Sequence, residues 1–320
     1  MKFKKTIAAA IAVCTLFCGC AKVKTDGEWS VYMPDGAPAL ALAALMYADK
    51  PNDGFDYRVV SSTVIASKVT ANKEANNADF CVLPITAASK LLGNGERYTM
   101  VGTLTKGNLY LVSKQGGEIT DLSALLGQTV GVVQIKEVPG LTLKSALDKN
   151  GVAWKELSQG ERAEADKVNL QAVSGVDGSC AYYLLAEPAV SKIVINGFSV
   201  VGNLQTLYGE NGYPQAVLVV KRSIAAQHAQ AVDEFWDEVK AGVAWTMDAS
   251  AQTLYQTVVD CFEDKGLSPA FTAQTLSKET VLRCGIAVED AKLVKAEIEG
   301  YLGGLQGSFA MPSDKFYYGL

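Results

Sequence analysis

Short apolar runs alternate along the chain with segments whose apolar residues recur every three to four positions. The runs have the length of β-strands, and the periodic segments have the spacing of α-helices. This alternation is typical of α/β domains with largely parallel sheets, so we predict an α/β fold. The predicted strands are Trp29–Met33, Tyr57–Val60, Asp79–Leu83, Asn108–Ser113, Thr129–Gln134, Val168–Val173, Cys180–Leu184, Phe198–Val201 and Gln215–Lys221.

The helical segments follow the strands after short polar turns. In the region from Val232 to Val243 the apolar residues repeat at helical spacing, which predicts that Trp236 packs in a core, and we expect the same of Trp245. Residues 205–214 are rich in turn-forming residues and are predicted to be a loop. The predicted helices are Pro38–Ala48, Val64–Ala75, Ala87–Leu92, Asp121–Leu126, Leu141–Lys149, one after Pro188 and one around Val232–Val243.

The first twenty residues have the pattern of a secretory signal peptide. Lysines at positions 2, 4 and 5 precede an apolar run from Ile7 to Phe17. That run of about 11 residues is too short to cross a bilayer core of ~30 Å. The run ends in Leu16-Phe17-Cys18-Gly19-Cys20, which resembles a bacterial lipobox with Cys20 as the lipid-modified residue. We therefore expect a signal peptide over 1–19 and a tether over 20–28, the alternative being an ordinary secretory peptide.

Composition narrows the classes of protein that need to be considered. The chain has 320 residues, of which 49% are hydrophobic and 20% charged, as expected of two globular domains. Its formal net charge is −5, and its pI of about 5.1 argues against a nucleic-acid partner. The single histidine, His228, excludes a zinc site built on several histidines, and its polar surroundings predict an exposed residue without a role. No cofactor and no metal are expected.

The cysteines of the later chain show no metal-binding spacing. Cys81 and Cys180 lie within predicted strands and are expected to be small core residues. Cys261 and Cys284 are expected in helical segments, and a disulfide between them is one possibility outside the cytoplasm.

Several short motifs, taken in their order, resemble those of a known family. Besides the lipobox they are Pro34-Asp35-Gly36-Ala37-Pro38, Asp79–Pro84, Asp121–Val133, Val176-Asp177-Gly178, Ala186-Glu187-Pro188 and Tyr213-Pro214. The order is similar to that in ABC-transporter solute-binding lipoproteins of the nitrate/sulfonate/taurine and thiamine-precursor-binding type. The resemblance implies the type II periplasmic-binding-protein fold, in which two crossover strands join two α/β domains around a ligand cleft. It implies domain I over 29–106 and 208–320, and domain II over 107–207.

The candidate ligand-binding residues follow the predicted strands, because ligands of open α/β sheets bind at the carboxyl ends of strands. Helix N-termini at these exits present unpaired N–H groups. The candidates are Asp35, Gly36, Ala37, Ser61, Ser62, Thr63, Thr86, Gln134, Glu137, Pro139, Gly140 and Glu187, with Tyr213 or Tyr208 as a cover for an apolar part of the ligand.

Some of these residues have alternative interpretations. Ser61–Thr63 can cap the next helix, and Asp35 can bond its own turn. Glu187 can orient the following helix without touching a ligand, and Glu137 can be a solvated charge.

The resemblance implies a monomeric, lipid-anchored protein outside the cytoplasmic membrane that delivers a small molecule to an ABC permease and its ATPase. The chain has no GxxxxGK[ST] loop, so ATP hydrolysis would belong to another subunit. None of the five arginines (58, 97, 162, 222 and 283) falls in the candidate exits, which favours a neutral or cationic heterocycle over a sulfonate-like anion. We expect no enzymatic activity. The alternatives are a sensing or scavenging lipoprotein without a transporter, and an enzyme resembling thiamine-pyrimidine synthases.

Overall fold

The structure, a computed structural model, describes residues 28–48, 54–305 and 309–320. The predicted signal peptide, the lipobox and all but the last residue of the predicted tether lie outside these residues. The described strands form two six-stranded sheets. They are β1 (Trp29–Pro34), β2 (Phe55–Val60), β3 (Phe80–Pro84), β4 (Tyr98–Lys106), β5 (Leu109–Ser113), β6 (Thr129–Val133), β7 (Trp154–Leu157), β8 (Val168–Val173), β9 (Tyr182–Ala186), β10 (Ser199–Asn203), β11 (Pro214–Lys221) and β12 (Ile286–Asp290).

Helices connect the strands and cover the sheets. None of those in the described ranges combines the length and the apolar character that crossing a membrane requires. The helices are α1 (Ala37–Ala41), α2 (Ala43–Ala48), α3 (Ile85–Leu92), α4 (Val138–Lys149), α5 (Ala189–Val194), α6 (Leu204–Tyr208), α7 (Arg222–Gln227), α8 (Ala229–Asp248), α9 (Ala251–Asp260), α10 (Lys278–Arg283) and α11 (Ala291–Gly304), with 3-10 turns at Ile65–Val69, Glu74–Asn76, Leu122–Leu125 and Asp314–Phe316.

The first sheet has the strand order β12-β4-β11-β3-β1-β2 and, with its helices, forms unit one. Strands β1, β2 and β3 run parallel, and β11 is inserted antiparallel between β3 and β4. Both faces of this sheet are covered. Along β11, Leu218 packs on one face with Phe80 and Phe235, and Val219 packs on the other face with Cys81. Burial on both faces explains the continuous apolar run of β11.

The second sheet has the strand order β10-β5-β9-β6-β8-β7 and forms unit two. Val130 and Val132 of β6 pack with Leu143 and Leu147 of α4 on one face. Tyr183 and other aromatic and apolar residues cover the other face. The predicted α/β class is thus confirmed.

Two crossovers join the units. Residues 107–108 link β4 to β5, and α6 with residues 209–213 links β10 to β11. The Gln205 side-chain oxygen accepts hydrogen bonds from the amides of both Gly107 (3.0 Å) and Tyr213 (3.1 Å), so one side chain holds the two crossovers together. The domain limits implied by the resemblance stay a prediction.

The aromatic residues and the histidine lie as follows. Trp236 is buried, as predicted, and its indole N–H donates to Asp290 (2.6 Å). Trp245 is only partly buried, and its ring stacks on that of Tyr47 at 4.7 Å. His228 is exposed, with its ring against Trp29 at the start of β1.

Several local predictions differ from the structure. The predicted helix Val64–Ala75 is wrong, since the segment forms two short 3-10 turns around a polar stretch with few apolar residues. Strands β4, β7 and β12 were not predicted. Cys284 is a buried free thiol in the core of unit one, so the possible disulfide with Cys261 is not formed.

Candidate functional site

The carboxyl ends of β1, β2 and β3 meet at one edge of the first sheet. Pro34 pairs with Val60, and the Asp35 amide donates to the Val60 carbonyl (2.9 Å), so the exits of β1 and β2 are in direct contact. Helix α3 begins one residue after Pro84, at the exit of β3. The predicted residues from 35 to 37, from 61 to 63 and at 86 therefore share this edge.

The second sheet presents its carboxyl ends to the same crossovers. Leu109, the first residue of β5, pairs with Ala186, the last residue of β9. Strand β6 runs parallel to β9, so the exit of β6 lies on the same edge as Ala186. Lys106, at the end of β4, pairs with Pro214 at the start of β11. The exits of both units therefore border the crossovers, as the binding cleft of an open α/β fold requires.

Asp35 is half-buried and already bonded. Its carboxylate accepts a hydrogen bond from the Ala270 amide (2.6 Å). Burial raises the pKa of Asp35, while the amides of Ala270 and Gly36 and the charge of Lys192 in unit two oppose that rise. Gly36 has φ +113°, a conformation that other residues rarely adopt, and a Cβ there would meet nothing within 4 Å. The backbone at Gly36 is therefore open to close approach.

The hydroxyl groups at the exits of unit one differ in whether they already form hydrogen bonds. Ser61 and Thr63 are bonded to each other through their hydroxyls (2.9 Å), and Ser61 also accepts from the Thr63 amide (3.3 Å). Ser61 thus stabilises a turn rather than a long helix. Ser62 is exposed, and Thr86 is largely buried at the start of α3. Within the described residues neither hydroxyl has a hydrogen-bond partner, so both are available to a ligand.

The exit of β6 leads into the N-terminus of α4. Gln134 has φ 59°, and the Glu137 amide donates to its carbonyl (2.9 Å), which turns the chain toward the helix. Glu137 is the N-cap residue, its side chain makes no capping bond, and it is exposed. The first amides of α4 therefore have no intrahelical acceptor. Pro139 fits its place in the first turn because it has no N–H.

Gly140 has a packing role in this turn. A Cβ at position 140 would lie 2.0 Å from the carbonyl oxygen of Ile135, so only glycine lets the 134–137 turn close on the helix. Gly140, predicted as a ligand-binding residue, is thus in close contact with the chain itself.

Two other predicted residues are engaged within the protein. Tyr213 is 2% exposed, its ring stacks on Tyr301 at 5.4 Å, and its oxygen accepts from the Leu109 amide (3.3 Å). Glu187 is buried, and its carboxylate accepts from the amide (3.1 Å) and hydroxyl (2.8 Å) of Ser191 in α5. The interpretation that Glu187 orients the following helix agrees with these bonds. We therefore leave both residues out of the proposed site.

One arginine reaches a candidate exit, although none was predicted to do so. Arg283 is distant in sequence from every predicted exit, yet its Nε donates to the Glu187 carboxylate. Spacing in the sequence could not show this, because Arg283 reaches the exit from a segment nearly 100 residues further along the chain.

Polar residues at the crossovers were not predicted as part of the site. The Gln215 amide nitrogen donates to the Asn108 side-chain oxygen (2.8 Å), and the Thr105 hydroxyl accepts from the Ala216 amide (3.2 Å). Asn108 is buried, and its carbonyl accepts from the Glu187 amide (3.3 Å). A signal was present, since Asn108 and Gln215 are polar residues at the ends of otherwise apolar strands.

The site offers hydroxyls, amides and carboxylates for non-covalent binding. His228 lies near the start of β1, at the opposite end of that strand from the exits. Two α/β units joined by two crossovers, with the strand exits of both units at the crossovers, define the periplasmic-binding-protein class of fold. That fold prediction is confirmed by similar solved structures.

The structural neighbours cover nearly the whole chain at low identity. A protein from Parabacteroides distasonis described as an ABC transporter is similar with a TM-score of 0.67 and 18% identity, over 91% of this chain and 99% of that one. The periplasmic aliphatic sulphonate binding protein of Escherichia coli gives 0.60 and 12%, over 92% and 98%. The alkanesulfonate-binding protein of Xanthomonas axonopodis pv. citri, bound to MOPS, gives 0.53 and 12%, over 90% and 97%. No curated protein matches the sequence.

The family is established by sequence. The profile of the NMT1/THI5 like family matches residues 62–252, more than half of the chain. The chain belongs to the NMT1/THI5 like family, and the resemblance inferred from its motifs is confirmed.

Proposed function

We propose that this protein is an extracytoplasmic solute-binding protein that captures a small organic molecule between its two units and delivers it to an ABC permease. The observation that carries the proposal is the convergence of both sets of strand exits on the crossovers. Unit one supplies the unpartnered hydroxyls of Ser62 and Thr86 and the open backbone at Gly36. Unit two supplies Glu137 and the N-terminus of α4.

Binding in this arrangement acts through the relative position of the units. A ligand that contacts both sets of exits favours the state in which they are close together. The two short crossovers are the places where the chain can bend, so closure takes place about residues 107–108 and 209–213. We propose that the first and last parts of the chain (29–106 and 208–320) form one domain, that residues 107–207 form the other, and that the closed monomer is what the permease recognises.

For the ligand we propose a neutral or cationic heterocycle. Among the described residues, Arg283 is the one arginine bonded to a candidate exit residue, and it is already paired with Glu187. Asp35 and Glu137 leave carboxylates at the exits. Two structural neighbours are named for sulfonate binding, so a sulfonate is the competing outcome.

The first experiment is thermal unfolding of residues 25–320 with a panel of pyrimidines, flavins, amino acids, polyamines, nitrate and sulfonates. A ligand at 100 times its Kd adds ~2.7 kcal/mol to the unfolding free energy, which raises the midpoint measurably. A pyrimidine hit supports the ligand proposal. A polyamine hit supports the proposed charge but contradicts the heterocycle, and a sulfonate hit supports solute binding but contradicts the proposed charge.

A double variant then tests the site. Ser62→Ala with Glu137→Ala removes one exposed polar group from each unit, and we expect the Kd of the identified ligand to rise at least ~10-fold, about 1.4 kcal/mol. The matched control is Ser199→Ala with Glu96→Ala, because these exposed residues lie at or near strand ends opposite the exits. Equal affinity of the double variant and the control would place the site elsewhere.

We also propose that Cys20 carries a lipid that holds the protein at the membrane. Cys20→Ala should abolish labelling of the protein by a fatty-acid probe in bacterial cells. Cys18→Ala is the control and should retain the label. Labelling that persists in Cys20→Ala and is lost in Cys18→Ala would move the anchor to Cys18.

A further inference from the structure

A buried ion pair joins the two units beside the cleft. Glu187, which follows β9 in unit two, has a fully buried side chain, and its carboxylate is paired with the Arg283 guanidinium. Arg283 ends α10 in unit one. Moving the units apart would break this charge-assisted hydrogen bond, which is stronger than one between neutral groups.

Helix α10 itself is anchored in unit one. Val281 and Cys284 are buried in the apolar core of that unit together with Phe235 of α8. The Lys106 amide donates to the Gly285 carbonyl (2.7 Å), which ties the end of the segment to β4. The helix therefore moves with unit one when the units change their relative position.

The polar side of α10 is bonded to unit two at more than one point. The hydroxyls of Ser191 and Thr280 lie 2.9 Å apart, and Arg283 Nη2 donates to Ser191 (3.2 Å). The Tyr110 hydroxyl donates to the Arg283 carbonyl (3.0 Å). A motion that opened the cleft about the crossovers would break these bonds together.

We propose that Glu187, Ser191, Thr280 and Arg283 form an interdomain latch that shifts the ligand-free protein toward the arrangement in which the exits face each other. The latch rests on the proposed function, because it sets how much of the protein is ready to bind. Apparent affinity falls in proportion to the fraction of protein in the competent state. The latch raises this fraction in the ligand-free protein, and the contacts made by the ligand supply the rest of the shift toward the closed state.

The test measures the radius of gyration of the ligand-free protein by small-angle X-ray scattering. Glu187→Gln removes the charge and leaves Arg283 unpaired, so it can compromise folding. The double variant Glu187→Gln with Arg283→Met removes both charges, and circular dichroism verifies that it is folded. We expect the double variant to have a larger radius of gyration than the wild type. Arg222→Met is the control, because the Arg222 side chain donates to the carbonyls of Gly95 and Lys315, which both lie in unit one, and the radius of this variant should be unchanged.

An unchanged radius in the folded double variant overturns the latch. The scattering experiment needs no ligand. Failure of the ligand screen would therefore contradict the proposed function but would not test the latch. With a ligand in hand, the double variant should bind at least ~10-fold more weakly and return to the wild-type radius when saturated. Equal affinity of the double variant and the wild type also counts against the latch.

Discussion

Substitution of Gly107 by alanine tests the packing of the crossovers. A Cβ at position 107 would lie 2.0 Å from the Cζ atom of Tyr213, whereas ordinary contacts begin at 3.4 Å. The ring would have to move by more than 1 Å. It has little room to do so, because Tyr213 is 2% exposed and packs against the rings of both Tyr208 (5.3 Å) and Tyr301 (5.4 Å).

The cost has two parts. Forcing a methyl group into a well-packed core costs about 1–3 kcal/mol. Displacement of Tyr213 also weakens the hydrogen bond from the Leu109 amide to its oxygen, a loss of about 1 kcal/mol. We expect Gly107→Ala to lower the unfolding free energy by about 2–4 kcal/mol, which corresponds to a fall in Tm of roughly 4–8 °C for a chain of this size.

The assay is thermal and urea unfolding followed by circular dichroism and tryptophan fluorescence. Gly175→Ala is the control, since Gly175 does not have a left-handed φ and its Cβ would meet nothing within 4 Å, so its stability should stay within about 0.5 kcal/mol of the wild type. If the effect is steric, Tyr213→Leu should lower the unfolding free energy less in the Gly107→Ala protein than in the wild type. A Gly107→Ala protein as stable as the wild type would show that the packing around Tyr213 can accommodate the added methyl group.

Two further predictions concern Asp35 and Gly300. Because burial raises the pKa of Asp35, the folded protein holds this proton more tightly than the unfolded chain does, and stability falls as pH rises from the ordinary value of 3.8 through the raised one. Asp35→Asn keeps an acceptor for the Ala270 amide, so it should raise the unfolding free energy at pH 7 and flatten that fall; parallel pH profiles in urea unfolding would contradict this. Gly300 lies within α11 with open space around its Cβ position, so Gly300→Ala should stabilise the protein by about 0.5–1 kcal/mol in urea unfolding, and a loss of stability would show that the position is not open.

Strands were predicted best where an apolar run was continuous and had the length of a strand. Val168–Val173 is found with its predicted bounds, and most other strands shift by one or two residues. Strand β4 was missed because it is buried on both faces and its Thr and Gly residues interrupt the apolar pattern. Strand β12 was missed because it is a half-exposed edge strand that contains Glu289 and Asp290.

In the candidate site, too, some residues could be predicted from local sequence and others could not. Positions such as Gly36, Ser62 and Glu137 follow from local order, since residues after parallel strands share an edge. The partners of Glu187 and Tyr213 do not, because Arg283 and Tyr301 approach from distant parts of the chain. Local spacing carries no information about such contacts, and the role of each side chain depends on them.

The position of β11 also bears on the order in which a newly synthesised chain can fold. Strand β11 separates β3 from β4, so these two parts of the first sheet cannot be joined until residue 221 has been synthesised. The second sheet uses only strands between residues 109 and 203, and all of its pairings are available earlier. Domains generally fold as units during synthesis. During export or synthesis the central segment can therefore fold first. The apolar strands β1, β2 and β3 precede this segment, and β3 can pair with β11 only after β11 has been made.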